Sequence, residues 1–171
     1  LASAGSSYAV ENVMDSFKRN PSMTQQYCSY LVKFVAKKEV HAFLIELSSD
    51  DNLMDWQRMW VLASLLSGPK LSDDALKVAV KIYKDKNAHE ALRATAAMLI
   101  GRFGNHARRK QLISSYADCG SNFVQSAIYF ASQSFSQVER QNAKTTWGNQ
   151  NDLNRLLTAA FANRKKATAI S

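Results

Sequence analysis

Arg102, His106, Arg108, Arg109 and Lys110 crowd around the dipeptide Gly104-Asn105. If a helix starts just after that turn, several cations sit in its first turn. The positive end of the helix dipole opposes them there, so stability alone does not place them. Free N–H groups at a helix N-terminus together with arginine forks suit a phosphate. Arg140 and Lys144 extend the same supply of cations, as do Arg164, Lys165 and Lys166 further on, provided that successive turns line up along one edge. The plain alternative is an exposed turn carrying flexible cations.

Other chemistry-bearing residues fare less well. Trp56 and Trp60 lie one helical turn apart beside Asp55, Gln57 and Arg58. Packing between helices accounts for such a pair. Tyr116-Ala-Asp-Cys119 has the Tyr-x-Asp start of a polymerase metal motif but a single carboxylate, where two-metal chemistry needs two. His41, His89 and His106 are scattered, Cys28 and Cys119 are far apart, and no C-x-x-C or H-E-x-x-H occurs. No nucleophile elbow and no phosphate-binding glycine loop is present. Asp50-Asp51 and Asp73-Asp74 fall at expected helix starts, where the dipole favours acids. We therefore expect no metal, no cofactor and no enzyme.

Charge is the stronger signal. The 171 residues carry 22 Lys/Arg against 14 Asp/Glu, a formal net charge of +8. Residues 1–85 hold ten of each, whereas residues 86–171 hold twelve Lys/Arg and four Asp/Glu, so the whole excess sits in the second half. A one-sided basic field attracts polyanions. One stretch of that half, Gly120 to Val138, has no charge at all and contains Phe123, Tyr129, Phe130 and Phe135. It reads as a helix buried on most sides or as a surface that docks a protein.

The elements that must position these residues are helices. Apolar residues at i, i+3, i+4 and i+7 recur in Val10/Val13/Met14/Phe17, Tyr27/Tyr30/Leu31/Phe34, Val40/Phe43/Leu44/Leu47, Leu76/Ala79/Val80/Tyr83, Val124/Ala127/Ile128/Ala131 and Leu153/Leu156/Leu157/Ala160. Asn20-Pro21 starts a helix. Ser72 and Ser121 suit N-caps, and Asn87 with Glu90 and Ser136 with Glu139 have capping-box spacing. Gly68, Gly104, Gly120 and Gly148 fall where helices should stop in the left-handed conformation. These signals predict ten helices near 7–19, 21–36, 38–48, 52–67, 72–85, 88–103, 106–118, 121–134, 136–147 and 149–165. Linkers this short make successive helices antiparallel neighbours, and no Gly/Ser-rich stretch divides the chain, so residues 1–171 read as one all-α domain.

The helices also repeat. Residues 56–68 superimpose on 92–104 at an offset of 36, and residues 124–135 fall on the same segment at an offset of 32. Two helices per unit of this length predict antiparallel hairpins stacked as an α-solenoid. Tetratricopeptide and ankyrin signatures are absent. The segment His89-Glu-Ala-Leu-Arg-Ala-Thr-Ala-Ala-Met-Leu-Ile-Gly-Arg-Phe-Gly104 resembles the second helix of a HEAT repeat. In that family the arginine ties the loop end and small residues pack between hairpins. Positions 57 and 125 carry Gln instead of that arginine.

A second resemblance rests on Ser121-Asn-Phe-Val-Gln-Ser-Ala-Ile-Tyr-Phe-Ala, Glu139-Arg140 and Trp147-Gly148. This stretch is similar to the helical segment that follows the polymerase core in bacterial reverse-transcriptase-related proteins of the phage-defence kind. The resemblance implies an accessory module whose polymerase lies elsewhere. The start at Leu1 rather than Met fits the expectation of a module excised from a longer protein.

Three functions follow as expectations. The first is a non-catalytic module that holds DNA or RNA through Arg102, His106, Arg108, Arg109, Lys110, Arg140 and Lys144, contacts that position phosphates without reading sequence. The second is a protein scaffold that docks a polymerase core or another protein through Phe123, Tyr129 and Phe130. The third is a glycosylase of the HEAT-like alkylpurine type, built on Trp56 or Trp60. No apolar run approaches a membrane span, and two lone cysteines fit a reducing compartment, so a cytoplasmic location is expected.

Overall fold

The computed structural model describes residues 2–147, with side chains from Tyr8 onward. Among these residues every regular element is a helix. The α-helices are α1 (Ala2–Arg19), α2 (Thr24–Leu31), α3 (Lys38–Ser48), α4 (Asp55–Leu66), α5 (Asp73–Lys84), α6 (Glu90–Phe103), α7 (His106–Ser114), α8 (Asn122–Ser132) and α9 (Gln137–Trp147). The helix expected near 149–165, Gly148 and the cations Arg164, Lys165 and Lys166 lie outside the described residues.

Two expected helices are shorter than their periodicity suggests. Residues 21–36 form short 3-10 turns at Pro21–Met23 and Val32–Phe34 around α2. The Thr24 hydroxyl donates to the Pro21 carbonyl at 2.5 Å, which satisfies that oxygen within the tight turn. Helix α7 ends at Ser114 instead of running to 118. The Ser115 hydroxyl turns back to the Leu112 carbonyl at 2.8 Å and also meets the Tyr83 hydroxyl of α5. A local side-chain bond of this kind competes with helix continuation.

Ser72 and Ser121 cap α5 and α8 as their positions suggest, each accepting from the third residue on at 3.2 Å. Asn87 does not cap α6. Its backbone N–H goes to the Asp85 carboxylate, and His89 takes the cap, with Nδ1 accepting from the Ala91 N–H at 3.1 Å. Of the glycines read as helix stops, Gly120 is left-handed, at φ 79°. Gly104 has φ −68°. Its side chain is excluded for another reason: a Cβ there would lie 2.4 Å from the Ile100 carbonyl oxygen.

Helices pack in the pairs α1–α2, α3–α4 and α5–α6, and most also pack against the next but one. Contacts run α2–α4–α6–α8 on one side and α1–α3–α5 on the other, with α7 against α9. Helix α6 sits at the centre and touches α4, α5, α7 and α8. Leu92, Ala96, Ala97 and Leu99 of α6 are fully buried. The α6–α8 approach is so close that a Cβ on Gly101 would fall 2.5 Å from that of Ala131. Buried residues from Val10 to Ala143 form one continuous apolar cluster.

Polar bonds between helices follow the same spacing. The Asp55 carboxylate, at the start of α4, accepts from the His89 N–H at the cap of α6. The Glu90 carboxylate, at the start of α6, accepts from the Ser121 hydroxyl at the cap of α8. Each bond ties one helix start to the start of the next but one, and each removes an unsatisfied polar group at a helix end.

Candidate nucleic-acid interface

The Gly104-Asn105 turn is built as the sequence suggests, but its cations divide into two kinds. The Asn105 side chain caps α7 by accepting from the Arg108 N–H at 2.9 Å. One turn into the helix, Arg109 grips Glu139 of α9 with two parallel bonds, Nε to Oε2 at 2.5 Å and Nη2 to Oε1 at 2.9 Å. Its third donor, Nη1, goes to the Gly104 carbonyl. The Glu139 side chain is 8% exposed and also accepts from the Ser136 hydroxyl at 3.2 Å. His106, largely exposed, places Nδ1 3.6 Å from the same carboxylate.

The electrostatics follow from this fork. The Arg109 bonds hold the Glu139 carboxyl down to about 2; burial works against them, while the charge of Arg109 and bonds from Ser136 and His106 assist. The same bonds push the Arg109 guanidinium up. Glu139 also answers the question posed by cations in a first helical turn. The carboxylate that compensates Arg109, and lies near His106, comes from the neighbouring helix, thirty residues on in the sequence.

Arg102 is exposed, lies over the Phe103 ring at 4.9 Å and donates to the Leu66 carbonyl at the end of α4. Arg108 is half-buried and Lys110 is exposed. Neither takes part in an ion pair among the described residues.

Arg140 follows Glu139 in the chain but faces a different place. Between α8 and α9 runs a groove of about 390 Å³, lined by Tyr129, Gln133, Gln137, Arg140, Gln141 and Lys144, with Trp147 among its walls. Among the described residues no carboxylate lines it. Gln137, Arg140, Gln141 and Lys144 fall at i, i+3, i+4 and i+7, which puts them on one face of α9. Trp147 is fixed there by stacking on Tyr116, with centroids 4.7 Å apart, and by donating its indole N–H to the Ile113 carbonyl at 3.0 Å. The groove thus joins Tyr129 to Arg140 and Lys144, residues the sequence assigned to different partners. Its glutamines went unnoticed, although their spacing with Arg140 and Lys144 was available.

The remaining candidates are placed as follows. On α8, Phe123 is 37% and Phe130 50% exposed, while Val124, Ala127, Ile128 and Ala131 face the core. Trp56 is 44% exposed and donates to the Met54 sulfur at 3.3 Å. Trp60 packs half-buried against the core. The neighbouring Asp55 carboxylate is occupied by the His89 N–H at 2.7 Å. Among the described residues no group of three or more His, Cys, Asp or Glu could hold a metal ion, and no helix is long and apolar enough to cross a membrane.

Arg93 is buried and serves the fold. Its Nε donates to the Tyr83 carbonyl at 3.1 Å and its Nη2 to the Cys119 carbonyl at 2.9 Å. At the equivalent positions, Gln57 donates to the Pro21 carbonyl at 2.8 Å and Gln125 to the Tyr116 carbonyl at 3.0 Å. The Gln125 bond is the counterpart of the Arg93 bond to Tyr83, whereas Gln57 reaches back to the turn before α2.

No protein-family model, no curated protein and no solved structure matches this chain.

Proposed function

We propose that this chain is a non-catalytic helical-repeat module that holds nucleic acid through the cations of its second half. Packing along α2–α4–α6–α8 and along α1–α3–α5 supports a HEAT-like stack of hairpins, as does the tie to the preceding helical segment shared by positions 93 and 125. The functional reading rests on one observation. Arg102, Lys110, Arg140 and Lys144 are exposed, and none joins an ion pair among the described residues. Among the described residues the close ion pair of this half, Arg109 with Glu139, takes one carboxylate off the surface and so leaves the other cations without that opposing charge. The similarity of residues 121–148 to the segment beyond a reverse-transcriptase core favours, within this reading, an accessory module of such a bacterial protein, working in the cytoplasm.

Fluorescence anisotropy with short DNA and RNA across a salt series tests the reading. We expect micromolar binding at low salt that weakens steeply as salt rises, because each neutralised phosphate releases counterions. Arg108→Glu/Lys110→Glu should weaken it further while leaving Arg109 in its ion pair. Absence of binding at low salt would overturn the proposal. It would favour the second reading, a protein-docking module, which draws on the exposure of Phe123 and Phe130.

A further inference from the structure

The cations of the second half do not all face the same kind of surface. Lys110 stands exposed on α7, whereas Arg140 and Lys144 share a groove with amides and aromatic rings. From that lining we infer that the α8–α9 groove is a seat for single-stranded nucleic acid, an inference that rests on the nucleic-acid reading above.

The lining matches the parts of a strand one by one. Arg140 and Lys144 are one turn apart on α9, a spacing that offers two cations to the backbone. Gln137 and Gln141 lie on the same face, and Gln133 stands opposite, just past the end of α8. Each amide carries two donors and an acceptor, the complement of an exposed base edge. Tyr129 adds a ring to the α8 wall. Bases stack on such rings whatever their identity. A simple polyanion needs none of these amides or rings, and an acidic protein surface would not need them beside the cations.

The shape favours a single strand over a duplex. Packed helices lie about 8–10 Å apart, and the space between their ridges is correspondingly narrow. A duplex brings only its outer phosphates to such a cleft. A single strand lowers both a phosphate and an unstacked base into it. The volume, about 390 Å³, belongs to a local contact with a small part of a strand. The exposed cations of α6 and α7 would then hold the rest of the strand by charge alone.

The test uses the whole chain, fluorescein-labelled oligouridylate and oligothymidylate of about twelve nucleotides, and a duplex of equal length. The wild type should bind at least one single strand about tenfold or more tightly than the duplex, a margin that base contacts in the groove require. Arg140→Ala/Lys144→Ala should weaken single-strand binding at least tenfold. It should also make the slope of log affinity against log salt shallower by about 1.4, at ~0.7 per lost phosphate contact. Gln137→Ala/Gln141→Ala changes two exposed residues and no charge. It should weaken binding several-fold with the slope unchanged, a pattern that loss of charge alone does not give. Circular dichroism and thermal melts should show both variants folded like the wild type. If no nucleic acid binds, the functional reading and this inference fall together. If the wild type binds but the Arg140/Lys144 variant binds equally well, or the duplex binds as tightly as the strands, the groove assignment falls and the general reading stands. Unchanged affinity in the glutamine variant would likewise remove the base contacts and with them the single-strand seat.

Discussion

Glu139 and Arg140 are consecutive residues of α9 that belong to opposite kinds of region. Glu139 points into the joint with α7, where Arg109, Ser136 and His106 surround it and little solvent reaches it. Arg140 lines a groove to which the described residues bring no carboxylate. Both regions are rich in cations, yet in the joint the cationic charge is spent on holding two helices together. In the groove no ion pair among the described residues takes it up. Clustered arginines and lysines in a sequence therefore do not amount to one binding surface. A single well-placed acid from a distant segment decides which of them are structural.

The most forceful way to break this comparison is to remove the joint's cation. Arg109→Ala leaves Glu139 largely buried and without its fork, and leaves the Gly104 carbonyl without its guanidinium donor. We expect a loss of about 3 kcal/mol in urea denaturation, the range for stripping one partner from a buried pair. A loss below about 1 kcal/mol would make the bridge an ordinary surface pair, and the distinction between joint and groove would fail.

Acid probes the same joint more gently. The Glu139 carboxyl falls from an ordinary 4.5 to about 2 on folding, so the folded state favours its charged form. That stability is fully present above about pH 4.5 and is lost as pH falls through the folded value, near 2. Because solvent reaches the Arg109 side of the pair, we expect only about 1–2 kcal/mol to disappear over this window. Glu139→Gln should be less stable at neutral pH and should lose less stability between pH 4.5 and 2 than the wild type. Parallel pH profiles for the two proteins would show that the carboxylate does not carry the effect.

The joint and the groove were unequally legible in the sequence. Helical periodicity gave the elements well, because an apolar stripe is a local pattern that needs no knowledge of the partner helix. Ser72 and Ser121 were equally plain, since a cap acts on residues three positions away. The ends of α2 and α7 were not, because Thr24, Ser115 and Tyr83 make bonds that the apolar pattern does not register. The joint was hidden for a similar reason. Arg109 looks like a phosphate ligand when only its own segment is considered, and Glu139 looks like the third residue of a capping box. Their mutual grip appears only when α7 and α9 are packed side by side. Gln57 and Gln125 illustrate the opposite case. Both depart from the arginine at position 93, yet Gln125 still ties back to the preceding helical segment as Arg93 does, while Gln57 donates instead to the Pro21 carbonyl before α2.

The smallest expected effect on stability is the one that sharpens the comparison most. Arg140 and Lys144 are exposed, neither joins an ion pair among the described residues, and both sit on a helix face rather than in a helix–helix contact. Alanine is at least as good a helix former as either, so the backbone loses nothing. Lys144 lies in the last turn of α9, where its charge complements the dipole by a few tenths of a kcal/mol. Removing two like charges one turn apart relieves a repulsion of similar size. The two effects oppose each other, so Arg140→Ala/Lys144→Ala should shift unfolding by no more than about 0.5 kcal/mol in either direction. A loss as large as that of Arg109→Ala would mean that these cations are also fastened within the fold. A shift within the expected range would leave them without a structural task, in a groove to which the described residues bring no acid, as the proposed nucleic-acid seat requires.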